Sequence, residues 1–291
     1  MPAKVMDISN KYIYNEIAVA FLDVLGFQNR LAEFEQEAIE FKTGQSTFSE
    51  ADEEEINTSN GSFYYSQKAN DFIETFNSAI SKLNTEIFSY YLFSDNICIT
   101  VRNDKSENSL IDLLLIISEL YFEFAQKGYF LRGGIDYGLF IDKSSIALGV
   151  PLATAYKIES TQAVFPRIVL SKNFVKQFEV YSDTNTTDYS SILLESLIKR
   201  SCEIDYLNVF NHIFKVDNKE DFFIRFSSRI IENLTATSNN ERVNIKFQWL
   251  ANEFNSFIET YTASLAYFDV NFEATEEFIS TIKQLKIGYG N

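Results

Sequence analysis

The sequence predicts an α+β chain. A ferredoxin-like core, an antiparallel sheet with helices, is expected over residues 1–172, with a helical C-terminal extension over 173–291. Three observations point there. In the first part, short apolar runs bounded by turn residues alternate with longer segments of helical period, in a split βαβ order. The stretch YYLFSDNICIT (90–100) reads as two strands joined at Ser94-Asp95-Asn96, a tight-turn signature. Beyond residue 173, helical periodicity dominates in YSSILLESLIKRS, DFFIRFSSRIIENLTA and ERVNIKFQWLANEFNSFIETYTASLA.

EIAVAFLDV (16–24) is expected as a buried strand, and LGFQNRLAEF then opens a helix behind Gly26. Residues 35–62 are acidic and rich in Ser, Thr and Asn, and are expected as an insertion or mobile loop. Their EADEEE cluster suits solvent better than a metal. From Phe63 to about Leu83 the residues Phe72, Ile73, Phe76, Ala79, Ile80 and Leu83 recur at helical spacing. The hairpin follows, then a helix over SENSLIDLLLIISELYFEFAQKG that stops at Gly128. YFLRGGIDYGLF is a strand whose Gly133 and Gly134 signal a bulge or a close approach by another group. SIALG is a short strand. VPLATAYKIESTQA is a helix with Pro151 in its first turn, and PRIVLS is the last strand of the core. Helices are expected on one face of the sheet.

Composition limits the chemistry. Of 291 residues 46% are hydrophobic and 15% aromatic, enough for a real core. A net charge of −16 argues against a general nucleic-acid binder, whose affinity rests on basic phosphate contacts. Cys98 and Cys202 form no C-x-x-C pair, the N-terminus lacks a signal-peptide pattern, and no apolar run reaches membrane length. A cytoplasmic protein is expected. The single histidine, His212, leaves no basis for a His metal site or a Ser-His-Asp triad. Carboxylates must therefore carry any chemistry.

Two aspartates stand out. Asp23 ends the first strand and Asp95 sits in the hairpin turn; in a ferredoxin-like plan both reach one edge of the sheet. Paired carboxylates repel unless a cation joins them, and Mg²⁺ or Mn²⁺ suits such oxygen donors. The Val24 carbonyl is a candidate third ligand. Two divalent ions about 3.5–4 Å apart would support in-line displacement at phosphorus. On spacing alone the commoner roles, N-cap for Asp23 and turn former for Asp95, stay open.

FLDVLGF, FSDNICIT, LRGGIDYG and LGVPLATAYKIES occur in this order over about 150 residues. Together they resemble the motif set of class III nucleotidyl cyclases: F-x-D-x-x-G-F, the second metal-aspartate hairpin, R-x-G-I-x-x-G and G-x-x-V-N-x-A-x-R-L-E. The FLDVLGF and FSDN forms, the AYKIES…FPRIVLS ending and the KFQWLANEFN tail look closest to bacterial pyrimidine cyclases of the Pycsar antiphage system. The resemblance implies metal binding by Asp23 and Asp95 with the Val24 carbonyl. It places Tyr91 where purine cyclases read the base with Lys or Glu, so a pyrimidine is implied; a plain cross-strand aromatic is the other possibility. Lys157 aligns with the family's transition-state arginine, while Ala153 stands where the family has asparagine. Arg132 and Arg167 are candidates for phosphate contact or for pairing with core acids.

What the resemblance implies is cyclisation of a nucleoside triphosphate, UTP before CTP, to a 3′,5′-cyclic monophosphate and pyrophosphate. Two Mn²⁺ or Mg²⁺ ions would serve each site, in a head-to-tail homodimer with Lys157 supplied by the second subunit. The product would act in antiphage defence through a separately encoded effector. An adenylate or guanylate cyclase fits Tyr91 less well. A catalytically inactive nucleotide-binding or dimerisation module is the alternative outside enzymology.

Overall fold

A computed structural model describes residues 11–43, 64–102, 108–143, 146–185, 196–201, 203–267 and 272–288. The chain divides into two compact units: Gly26–Ser81, and the remainder on either side of it.

The small unit is a helix pair, α1 (Phe27–Thr43) and α2 (Gln67–Ile80). Ser66 caps α2, its hydroxyl accepting from the Ala69 amide at 3.1 Å. That hydroxyl and the Lys68 amide both donate to Glu37 of α1, at 2.5 and 3.1 Å. Phe27, Phe34, Phe72 and Phe76 form the apolar contact, with Phe27 and Phe72 centroids 4.5 Å apart. Because α1 runs to Thr43, the first part of the segment expected as a loop from residue 35 is helix. The acidic cluster in the rest of that segment lies outside the described residues, as does Cys202.

The large unit holds the sheet. Its strands are β1 (Asn15–Val24), β2 (Phe88–Phe93), β3 (Asn96–Arg102), β4 (Leu131–Lys143), β5 (Ile146–Gly149), β6 (Ile168–Leu170), β7 (Ile198–Lys199) and β8 (Tyr206–Leu207). The spatial order is β2-β3-β1-β4-β6-β8-β7, with β5 beside β4. β3 inserts between β1 and β2, and the β2–β3, β3–β1 and β1–β4 pairs are all antiparallel. This is the ferredoxin-like plan. β6 pairs parallel with β4.

Helices α3 (Ser109–Gln126) and α4 (Val150–Thr161) pack on this sheet. Along β1, Ile17, Val19 and Phe21 form a cluster with Cys98, Phe140 and Ala155 of α4. Ala18, Ala20 and Leu22 alternate with them, point away from α4, and are fully buried too. Both faces of β1 are therefore covered, which corrects the expectation of helices on a single face. Gly134 explains how closely α4 sits: a Cβ there would overlap the Ala155 carbonyl and Ile158.

The extension contains α5 (Lys172–Asn185), a 3₁₀ segment (Val209–Lys215), α6 (Lys219–Ala236), α7 (Glu241–Tyr267) and α8 (Phe272–Gln284). It is not wholly helical, since β8 and β7 continue the core sheet through Val169 opposite Tyr206. Rings of Phe210, Phe223, Phe226, Phe254 and Phe257 pack together. Phe130, just ahead of β4, meets Phe226 and Phe247 and joins this aromatic core to the sheet. His212 is buried there against Phe122, centroids 5.2 Å apart. No helix among the described residues is long and apolar enough to cross a membrane.

Candidate active site

Asp23 stands one residue before the end of β1, in register with Asn96 of β3 and Arg132 of β4. Alternation places it on the face that α4 covers, two residues beyond Phe21. Asp95 is the second residue of the two-residue β2–β3 turn, where Ser94 takes a φ of +60°. A positive φ at the first central position alone fits a II′ turn, which follows the twist of the strands. The turn brings the Asp95 carboxyl into hydrogen-bonding reach of Asp23. Asn96 Nδ2 steadies it, donating to Asp95 Oδ1 at 3.3 Å and to the Phe93 carbonyl at 3.2 Å.

Arg132 binds the acids from the other side. Its Nε donates to Asp23 Oδ2 at 2.7 Å. A terminal nitrogen lies 2.6 Å from Glu159 Oε1 of α4, an ion pair without hydrogen-bond alignment. Burial pushes Asp23 up to about 7 against the pull of Arg132, and Glu159 and Asp95 push the same way. Glu159 is also raised, by burial first, with Arg132 opposing. Lys246 of α7 lies in the same field; burial, then Arg132 and Arg242, lower it, and Asp23 opposes them. Its neighbour Phe247 packs on Phe130, which fixes α7 at this end of β4.

Among the described residues no three His, Cys, Asp or Glu side chains converge as a metal cage. Asp23 and Asp95 nevertheless fit Mg²⁺ or Mn²⁺, which commonly bind one or two carboxylates together with substrate phosphate and water. Burial above all, with Glu159 and Asp95 adding to it against Arg132, holds the proton on Asp23 near neutrality, and a cation there would favour the charged carboxylate. Val24, next to Asp23, buries its side chain and pairs with Leu131.

A second polar group lies on the same face. Tyr91 shares the row of Cys98 and Phe21, two residues or about 7 Å along the strands from the row of Asp23. Tyr91 Oη donates to Asp142 Oδ1 at 2.5 Å and lies 3.2 Å from the Ile146 carbonyl. Thr100 Oγ1 donates to Asp142 Oδ2 at 2.5 Å. Tyr156 of α4 meets Phe21 edge-on at 5.4 Å and is largely exposed. Burial pushes the Cys98 thiol up to about 12, so it is inert.

The remaining predicted residues lie elsewhere. Lys157 is exposed on α4 and lines a cleft of about 480 Å³ with Thr154, Lys172 and Asp205. Glu159, two residues on, faces Arg132; at 3.6 residues per turn Lys157 therefore points about 200° away. The Arg167 guanidinium sits among the rings of Phe165, Tyr206 and Trp249 at 5.3–5.6 Å. One of its terminal nitrogens donates to the Gln162 carbonyl at 3.3 Å. The structure brings together Asp23, Asp95 and Arg132, sets Tyr91 on the same face, and leaves Lys157 and Arg167 apart from them. Glu159, Asp142, Thr100 and Lys246 are additions that sequence reasoning did not single out. Glu159 alone had a signal, as the last acid of AYKIES.

No family model matches the chain, and no curated protein is similar to it. Solved structures that are distantly similar include three cyclase domains. The catalytic core of a rhodopsin-guanylyl cyclase with converted specificity, in complex with ATPalphaS, is 11% identical over 57% of this chain and 82% of that one, with a TM-score of 0.37. The monomeric guanylyl cyclase domain of the RhoGC fusion protein from the aquatic fungus Blastocladiella emersonii is 11% identical over 66% and 94%, TM-score 0.39. A bacterial light-regulated adenylyl cyclase is 15% identical over 69% and 94%, TM-score 0.34.

Proposed function

We propose that the chain is a nucleotidyl cyclase acting on a pyrimidine nucleoside triphosphate, UTP before CTP, and releasing 3′,5′-cyclic UMP and pyrophosphate. The observation that carries this is the meeting of Asp23 and Asp95 at one end of the sheet face on which α4 packs, with Tyr91 about 7 Å along it. The four motifs in family order support it from the sequence side.

Asp23 and Asp95 would hold Mg²⁺ or Mn²⁺, which when bound would make the ribose 3′-hydroxyl more acidic and neutralise triphosphate charge. The protein's own part is positioning and electrostatics. Arg132 orients Asp23 and, with Lys246, sets positive charge at the phosphate end. Phe21 and Tyr156 give an apolar flank for the sugar and base. Tyr91 reads the base edge. Lys157 faces away from its own Arg132 and Glu159, so it would serve a second subunit's site in a head-to-tail homodimer, stabilising charge on the α-phosphate. A role in antiphage signalling through a separate effector rests on the motif resemblance. Arg132 engaging Asp23 is the observation that favours the second reading, a catalytically inactive nucleotide-binding module.

The test is incubation of the purified protein with Mn²⁺ and each of ATP, GTP, CTP and UTP, with products read by mass spectrometry. Cyclic UMP is expected. Cyclic CMP would move the base assignment, and a cyclic purine would overturn the role of Tyr91. No product from any of them would leave the module.

A further inference from the structure

Asp142 has no role in the chemistry above, yet both of its oxygens are taken. Oδ1 receives the Tyr91 hydroxyl and Oδ2 the Thr100 hydroxyl, each at 2.5 Å. A carboxylate accepts hydrogen bonds and does not donate. A free tyrosine hydroxyl can turn to give or to take a hydrogen bond. Here its one proton is committed to Asp142, with the Ile146 carbonyl at 3.2 Å as a weaker second acceptor. What Tyr91 has left to offer a ligand is therefore an oxygen lone pair. The bond from Thr100 holds Asp142 against rotating out of this arrangement, and Ala147 of the β4–β5 hairpin packs, like Tyr91, against the Phe21–Cys98–Phe140 cluster.

We propose that Asp142 is a positioning residue that fixes Tyr91 Oη as a hydrogen-bond acceptor, so that the site selects a nucleobase offering an N–H donor at that point. In uracil this donor is N3–H; in cytosine it is the N4 amino group. The proposal rests on the reading of this face as a nucleotide site. Burial and Asp142 also raise the Tyr91 hydroxyl pKa, so it stays protonated and keeps its bond to Asp142.

The test compares 3′-deoxy-UTP, which cannot cyclise, with its N3-methyl derivative in calorimetric binding to the full chain with Mn²⁺. For a cytosine substrate the pair is 3′-deoxy-CTP and its N4,N4-dimethyl derivative. Wild-type protein is expected to bind the methylated form about ten- to a hundredfold more weakly, the loss that follows an unmet buried hydrogen bond. Asp142→Asn, whose amide can donate to Tyr91 and turn its hydroxyl outward as a donor, should erase most of that preference. Tyr91→Phe should erase it too, and the double variant should match Tyr91→Phe alone. If Asp142→Asn fails to fold, Tyr91→Phe and Thr100→Val still decide, the first abolishing the preference and the second only softening it. Tyr91→Phe with unchanged preference, or additive losses in the double variant, would overturn the proposal. Tight binding of both parent and methylated forms to wild type would overturn it while leaving the nucleotide site intact. No binding of any deoxynucleotide, with no cyclic product, would overturn the nucleotide site and the proposal together.

Discussion

Arg132 Nε lies 2.7 Å from Asp23 Oδ2, and the same guanidinium holds Glu159 Oε1 at 2.6 Å. One cation thus ties the end of β1 to α4 and balances part of a three-carboxylate cluster. Arg132→Gln leaves those acids facing one another. Removing one partner of a buried pair costs roughly 3–5 kcal/mol; with Arg132 a quarter exposed, a loss of about 2 kcal/mol is expected. Urea unfolding checks it. Mn²⁺ should return part of the loss, because a cation that binds the folded acids stabilises the native state. Unchanged unfolding would contradict the balancing role.

His212 predicts how acid acts on the fold. Burial, then Lys215 and Lys82, lower its pKa to about 4, below the ordinary value of 6.5. The unfolded chain therefore binds more protons between those values. The stability held by neutral His212 is complete above about pH 6.5 and is lost as pH falls toward 4. The shift corresponds to roughly 3 kcal/mol at most. His212→Phe should flatten that stretch of the pH–stability curve, measured by thermal melting from pH 7 to 4. An unaltered slope would mean His212 is protonated in the fold.

Arg167 lies among three aromatic rings, with Nε buried and without a hydrogen-bond partner among the described residues. Arg167→Lys keeps the charge but loses the planar stack and should cost about 1 kcal/mol. If the residue serves packing, KM for the nucleotide stays put while the melting temperature falls. A raised KM at unchanged stability would instead return Arg167 to the phosphates.

Lys157 and Asp23 offer a test of assembly. Each single variant, Lys157→Met and Asp23→Asn, should be inactive alone. Mixed and reassembled in equal amounts, half the dimers are heterodimers with one intact site, so about a quarter of wild-type activity should return. No recovery would place Lys157 in the site of its own chain or outside any site.

The split βαβ order, the hairpin and the convergence of Asp23 and Asp95 were legible because each rests on local signals: period-two apolar runs, a turn signature, and a topology that makes β1 and β3 neighbours. Gly133 and Gly134 announced a close approach, and Gly134 makes one with α4. Asp142 was not legible. It lies six residues along β4 from Asp136, which shares a row with Val19 and Thr100, roughly 20 Å away were the strand straight. Only the curl of distal β4 and its hairpin brings Asp142 to Thr100. Lys246 was hidden for a related reason. Helical period places Phe247 in a core but does not say that the core is the one beside Phe130. The strands β7 and β8 are two residues each, too short for any alternating pattern.

The central claim is that Asp23 and Asp95 together hold the cation on which turnover depends. Its most direct test is pyrophosphate release from UTP by wild type, Asp23→Asn and Asp95→Asn, titrated with Mn²⁺ and with EDTA, each protein first checked for folding. The predicted result is release that requires the metal and falls by about a thousandfold or more in both variants. Turnover that survives EDTA, or either variant within about tenfold of wild type, would contradict the shared site.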